Sequence, residues 1–270
     1  MLELLLCHNA EGVLRSHGRR GGFVDARSGR AQRLCGVGTF LHERCAGFPK
    51  LTRAQYRARR EKRHRRGDGR ASSKRVGEYC HRQLAHQLCC VANGRRRCLC
   101  PQAAPSGAPR RDSLSHAMVE AARDFAASER LRFEAVEQVV ADANVGVATR
   151  FDALARREGT SPRFVLVSWK TSSACPFDDS VRSASLDEWL SSGSVSSSSS
   201  SEAIAAREHL AQLTVELHLL RDSHAIDVAE ACVVYLSPGE RRFRVVWLTR
   251  ESIDGGGYAR CFRRMLATKQ

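Results

Sequence analysis

Two apolar runs, Val147-Ala148-Thr149-Arg150-Phe151-Asp152-Ala153-Leu154 and Phe164-Val165-Leu166-Val167-Ser168-Trp169-Lys170-Thr171, constrain this chain more than any other feature. Both are rich in β-branched and aromatic residues and read as adjacent short strands. The first carries an aspartate and the second ends in a lysine preceded by a tryptophan. Taken singly, a strand-end lysine is usually a solvated side chain, and an aspartate in a strand says little. Asp152 and Lys170 are eighteen residues apart across a turn, and together they say more than either does alone.

The flanking sequence places these runs in an α/β pattern. A strand over Leu131 to Ala141 turns back through Ala143-Asn144 into Val145 to Arg156. After the Gly159–Pro162 turn, Arg163 to Trp169 completes a β-meander. Upstream, Val76, Cys80, Leu84 and Leu88 recur every four residues and predict a helix from Ser73 to Val91. Asn93 to Arg111 reads as a loop. Ser113 to Ser128 is a second helix, capped by Ser113 or Ser115. Downstream, Ile204, Leu210, Leu213, Leu217 and Leu220 line much of one face of a helix from Glu202 to Arg221. Strands Asp227 to Leu236 and Phe243 to Leu248 follow, joined by Ser237-Pro238-Gly239-Glu240. A last helix, Arg250 to Leu266, is interrupted at Gly255-Gly256-Gly257. The expected fold is a central mixed β-sheet flanked by helices. Residues 1–73, Gly- and Arg-rich without sustained periodicity, read as a basic, largely disordered tail, and 74–270 as the folded domain. The serine run 191–201 reads as a flexible insertion.

Charge is distributed unevenly along the 270 residues. Lys and Arg number 44 against 29 Asp and Glu, a net charge of +15, which points to a polyanionic partner such as nucleic acid. The run holding Arg57, Arg59, Arg60, Lys62, Arg63, Arg65 and Arg66 is the candidate phosphate-binding segment, and it equally suits a nuclear import signal or a solvated tail. No apolar run reaches membrane-spanning length, so no membrane association is expected. The absence of a secretory signal points to an intracellular protein, with the compartment left open between the nucleus, an organelle and elsewhere. The eleven cysteines form no regular framework and are expected to be reduced. Cys89, Cys90, Cys98 and Cys100 cluster, but no CxxC pair marks them as a metal site.

Asp152 and Lys170 suit phosphodiester hydrolysis. That reaction uses a divalent cation, held by hard oxygen donors, to polarise phosphate and activate water. A lysine beside the acid can orient the water and offset charge developing on the phosphate. This arrangement resembles the metal-binding core of the PD-(D/E)XK nuclease superfamily, in particular its RecB-like exonuclease branch. There the second strand ends in an acid-x-Lys signature, often followed by Thr. Here Ser168-Trp169-Lys170-Thr171 matches with serine at the acid position.

The resemblance runs from about Lys74 to Leu248. It implies a restriction-endonuclease-like core, bound Mg²⁺ or Mn²⁺, and DNA as substrate. Gly77-Glu78-Tyr79-Cys80-His81 matches the family's Gly-x-x-hydrophobic-His helix, so His81 is implied as a metal ligand, with Glu78 on the same face. Glu137, with Glu134 as its rival, matches the acid that precedes the Asp strand. Gln212-Leu213-Thr214-Val215-Glu216 matches the family's Gln-x-x-x-Tyr helix, with glutamate in place of tyrosine. The implied ion ligands are Asp152, His81 and the Trp169 backbone carbonyl, with Lys170, Glu137 and Gln212 completing the catalytic set. With Ser168 at the acid position, a second acid could come from Glu137, Asp178 or Asp179.

Three functions follow from these residues. The first is a metal-dependent, RecB-like DNA nuclease. The second is a nuclease-fold protein that binds nucleic acid without cutting it. The third is a basic α/β domain that binds a protein partner, in which Asp152 and Lys170 carry no chemistry.

Overall fold

A computed structural model of the chain describes residues 13–16, 22–25, 32–37, 40–41, 113–159, 163–171, 175–177, 181–186, 188, 201–237 and 240–267. The predicted helix over 73–91, with His81, and the basic run with Arg57 and its neighbours lie outside them. So do Asp178, Asp179 and the cluster from Cys89 to Cys100.

The described elements are strands β1 (Val13–Ser16), β2 (Gly22–Asp25) and β3 (Gln32–Gly36), helix α1 (Ser113–Ser128), strands β4 (Leu131–Asp142), β5 (Val147–Arg157), β6 (Phe164–Thr171) and β7 (Ser183–Ala184), helix α2 (Ser201–His218), strands β8 (Val228–Leu236) and β9 (Phe243–Leu248), and helices α3 (Arg250–Ile253) and α4 (Gly257–Ala267). All nine strands join one mixed sheet in the order β1-β2-β3-β5-β6-β8-β9-β7, with β4 paired to β5 off that path. Sheet and flanking helices make an α/β fold, as expected. No described helix is long and apolar enough to cross a membrane.

Each element has a local cause. The β4–β5 hairpin closes where the Asp142 side chain accepts from the Asn144 and Val145 amides at 2.8 and 3.1 Å, and Gly146 takes the positive φ of 75° that the turn needs. The meander β4-β5-β6 is antiparallel throughout. β6 then runs parallel to β8, with α2 between them in sequence, so the two strand ends carrying Lys170 and Tyr235 lie side by side. Thr249 caps α3, and the break between α3 and α4 falls at the glycine run, as the sequence indicates, with Gly257 opening α4.

Alternation along β6 divides the core into two layers. Val165, Val167 and Trp169 pack with Met118, Ala122 and Phe125 of α1, and with Cys232 and Val234 of β8. Phe164 and Leu166 face the other way, into a cluster with Leu210, Leu213 and Leu217 of α2 and Phe262 and Met265 of α4. Helix α2 is therefore covered on more than its predicted stripe. Every side chain from Leu213 to Leu217 is fully buried, the pattern of a helix enclosed on all sides.

The tail reading of 1–73 needs correction. β1, β2 and β3 lie within it and extend the sheet, β3 pairing parallel to the start of β5 through Cys35 with Val147 and Gly36 with Ala148. The two-residue β7 likewise has no counterpart in the sequence pattern. Among the described residues Cys35, Cys175, Cys232 and Cys261 are reduced and in no disulfide, as expected. Cys232 and Cys261 belong to opposite core layers and form no common site.

Candidate active site

The site lies where β5 and β6 part. Their ladder ends at Ala153 paired with Val167. The next residues, Asp152 and Ser168, stand at the fork with no ladder pairing between them. β6 continues alongside β8 as far as Thr171, so Ser168 and Lys170 remain anchored on one side only.

Asp152 fills the fork with its side chain. Its Oδ2 accepts from the Trp169 amide at 2.7 Å and from the Ser168 hydroxyl at 3.2 Å. The amide bond satisfies a buried donor that the parted ladder would otherwise leave unmet. Asp152 and Ser168 are both buried. Lys170, partly buried, donates from Nζ to the Ser168 hydroxyl at 3.0 Å and to Gln212 Oε1 at 3.1 Å. Gln212 Nε2 in turn donates to Glu216 Oε1 at 2.8 Å. One continuous chain of hydrogen bonds thus links β5, β6 and α2, and Ser168 joins Lys170 to Asp152 where the resemblance has an acid. An ammonium has three donors, so among the described residues these two bonds leave one Lys170 N–H for a ligand.

Glu137 stands across from Asp152 on β4, between the ladder pairs Val136–Ala153 and Gln138–Phe151. Its backbone is left-handed, with φ 54°, a conformation that costs a non-glycine residue about 1–3 kcal/mol. Its carboxylate meets the Arg150 guanidinium at 2.7 Å. Glu134 is the extra residue of the bulge between Phe133 and Ala135, and it pairs with Arg132 and Arg156. Of the two rivals, Glu137 is the one beside Asp152.

Helix α2 presents His209, Gln212 and Glu216 to the strand ends, at the spacing of one helical face. Gln212 is expected there. Glu216 is the residue that sequence reasoning misses, because it stands as a departure from tyrosine. It is fully buried, and its Oε2 has no hydrogen-bond partner among the described residues. Burial first, and then the Asp152 carboxylate, push its carboxyl up to about 8, while Lys170 and the Gln212 bond pull the other way. The signal in the sequence is a lone carboxylate inside Leu213-Thr214-Val215-Glu216-Leu217, one turn after Gln212.

His209 borders the site through a 2.9 Å contact between its Nδ1 and the Tyr235 hydroxyl. Burial, and secondarily the Lys170 charge, hold the imidazole down to about 3. It is therefore neutral at physiological pH. Burial also raises the Tyr235 phenol above its ordinary range.

Asp152, Ser168, Lys170, Gln212, Glu137 and Glu216 thus come together, and Trp169 contributes its amide to the same fork. As they stand, no three His, Cys, Asp or Glu side chains among the described residues are grouped closely enough to hold a metal by themselves. Mg²⁺ commonly takes only one or two carboxylates and completes its shell with water and substrate phosphate. The donors here are oxygens, and one is a buried carboxylate oxygen with no hydrogen-bond partner among the described residues, which suits a hard divalent cation. No protein-family model matches this chain, and no curated protein matches it either.

Proposed function

We propose that the chain is a metal-dependent nuclease that hydrolyses DNA phosphodiester bonds, with a restriction-endonuclease-like core of the RecB-like type. The observation that carries this proposal is the convergence of Asp152, Lys170 and Gln212 at the parted ends of β5 and β6. Ser168 joins Asp152 to Lys170, and Lys170 bonds Gln212 directly, in the order that the PD-(D/E)XK resemblance implies.

A bound Mg²⁺ or Mn²⁺ would supply the Lewis acidity that polarises the scissile phosphate and makes water acidic enough to attack. Asp152 and the Trp169 carbonyl would hold it, with His81 assisting. Lys170 keeps its ammonium at the fork by donating to Ser168 and Gln212, and its remaining N–H is available to the attacking water or to a phosphate oxygen. Gln212 fixes the lysine's direction. Glu137, across from Asp152 and ion-paired to Arg150, would complete the catalytic set at the fork's edge. The basic run from Arg57 to Arg66 supplies affinity for the DNA backbone that is independent of sequence and sensitive to salt.

A second reading is favoured by one observation: Ser168 occupies the acid position and already satisfies Asp152. In that reading the protein binds nucleic acid without cutting it. End-labelled single- and double-stranded DNA, incubated with Mg²⁺ or Mn²⁺, separates the two. Cutting by the wild type that disappears in Lys170→Ala is the expected result. No cutting by the wild type, with activity appearing in Ser168→Asp, would favour the binding protein.

A further inference from the structure

Ser168 leaves the site one carboxylate short, and the other acids nearby divide sharply in their ability to supply it. Glu137 is committed to Arg150 at 2.7 Å. Glu134 sits in the bulge of β4, paired with arginines. Glu216 differs from both. It reaches the site from the helix, is fully buried, and holds only its Oε1 in a hydrogen bond, to Gln212. Its Oε2 has no hydrogen-bond partner among the described residues.

A buried carboxyl with an unsatisfied oxygen is costly, and its neighbours Val215 and Leu217 show that this stretch of helix readily takes apolar side chains. A ligand at this oxygen would account for it. The same carboxyl is joined to Lys170 through the Gln212 amide, which accepts from Lys170 at 3.1 Å and donates to Glu216 at 2.8 Å, so it lies beside the pair at the fork. A cation placed between Asp152 and Glu216 would satisfy the orphaned oxygen and offset the charge of both acids.

We infer that Glu216, delivered by the helix, replaces the missing strand carboxylate and is the second protein ligand of a divalent cation held with Asp152. This inference rests on the nuclease reading and specifies the metal site within it. The departure from tyrosine at Glu216 and the departure from an acid at Ser168 then become one exchange: the charge absent from β6 reappears on α2.

The test is Mn²⁺ binding to the full chain, followed by the decline of the free-ion electron paramagnetic resonance signal, which requires no catalysis. Glu216→Gln keeps the size of the side chain and an oxygen that can accept from Gln212, and thermal melts verify that each variant folds. Wild type is expected to bind, and Asp152→Asn and Glu216→Gln each to weaken binding tenfold or more. Ser168→Asp in the Glu216→Gln background is expected to recover most of that deficit, because it returns a carboxylate to the strand. If Asp152→Asn weakens binding but Glu216→Gln matches wild type, the role of Glu216 is overturned while the metal site stands. If wild type binds no Mn²⁺, the inference and the nuclease reading fail together. Weakened binding in Glu216→Gln with no recovery by Ser168→Asp would overturn the exchange.

Discussion

Ser168 donates to Asp152 and accepts from Lys170, so a neutral hydroxyl joins the anion of one strand to the cation of the next. Serine can donate to Asp152 while accepting from Lys170, which an ionised acid cannot do, and it carries no charge. Glu216 has the opposite character, a potential charge with an unsatisfied oxygen in an apolar stretch of helix. Such a group should limit stability in the absence of metal. Glu216→Leu is expected to stabilise the metal-free protein by about 1–3 kcal/mol, the usual cost of an unmet buried polar group, read from the urea midpoint at unchanged slope. A destabilised variant would mean that the carboxyl is well satisfied. His209 gives a pH dependence. Its folded value of about 3 lies below its ordinary 6.5, so between those values the unfolded chain binds the extra proton. Stability attributable to it therefore rises with pH through that window and is lost as pH falls from about 6.5 toward 3. His209→Gln should flatten the acid side of the stability profile by up to about 1.4 kcal/mol per pH unit, measured by urea denaturation between about pH 4 and pH 7. An unchanged slope would show that His209 titrates normally.

Strand β6 is the element that ties the site to the core. Ser168 and Lys170 face α2 while Trp169 between them faces α1, with its ring edge-on to Phe125 at 5.6 Å. Phe125 also meets Phe243 at 5.6 Å and Trp247 at 6.4 Å. Truncating it removes the aromatic packing behind the site. Phe125→Ala is expected to cost about 3–5 kcal/mol, read by chemical denaturation, and to reduce activity by loosening Trp169. A cost below about 1 kcal/mol would mean that α1 does not brace β6. The elements nearest the site are the most legible in the sequence. The helix over Ser113–Ser128 has the predicted bounds, and the three strands of the meander end within two residues of expectation, because hydrophobic period and turn residues act locally. Gln212 and Glu137 are reached only through the motif order that the resemblance implies. The role of Glu216 is hidden, since an acid in a helix usually faces solvent and only the fold shows this one enclosed.

Across the whole molecule, what the sequence conceals is long-range pairing. β1, β2 and β3 are only four or five residues long, set among glycines and arginines, and β3 finds its partner at Val147 and Ala148, more than a hundred residues on. No local period announces a strand stabilised by so distant a neighbour. The span read as a tail therefore has two components: strands that complete the sheet, and the basic run that accounts for part of the +15 charge. The second can be tested without disturbing the first. Replacing Arg57, Arg59 and Arg60 with Gln should weaken DNA binding and reduce the slope of log affinity against log salt by about 0.9 for each phosphate no longer neutralised, measured by fluorescence anisotropy on double-stranded DNA. An unchanged slope would remove that run from the interface. The central claim is metal-dependent cleavage at the fork of β5 and β6. It is tested most directly by single-turnover cleavage of labelled DNA across a Mn²⁺ titration, comparing wild type with Asp152→Asn. The account predicts saturable cleavage by the wild type that is abolished by EDTA, and a variant at least about a hundredfold slower at saturating metal. Equal rates in the two proteins, or wild-type cleavage that persists in EDTA, would contradict it.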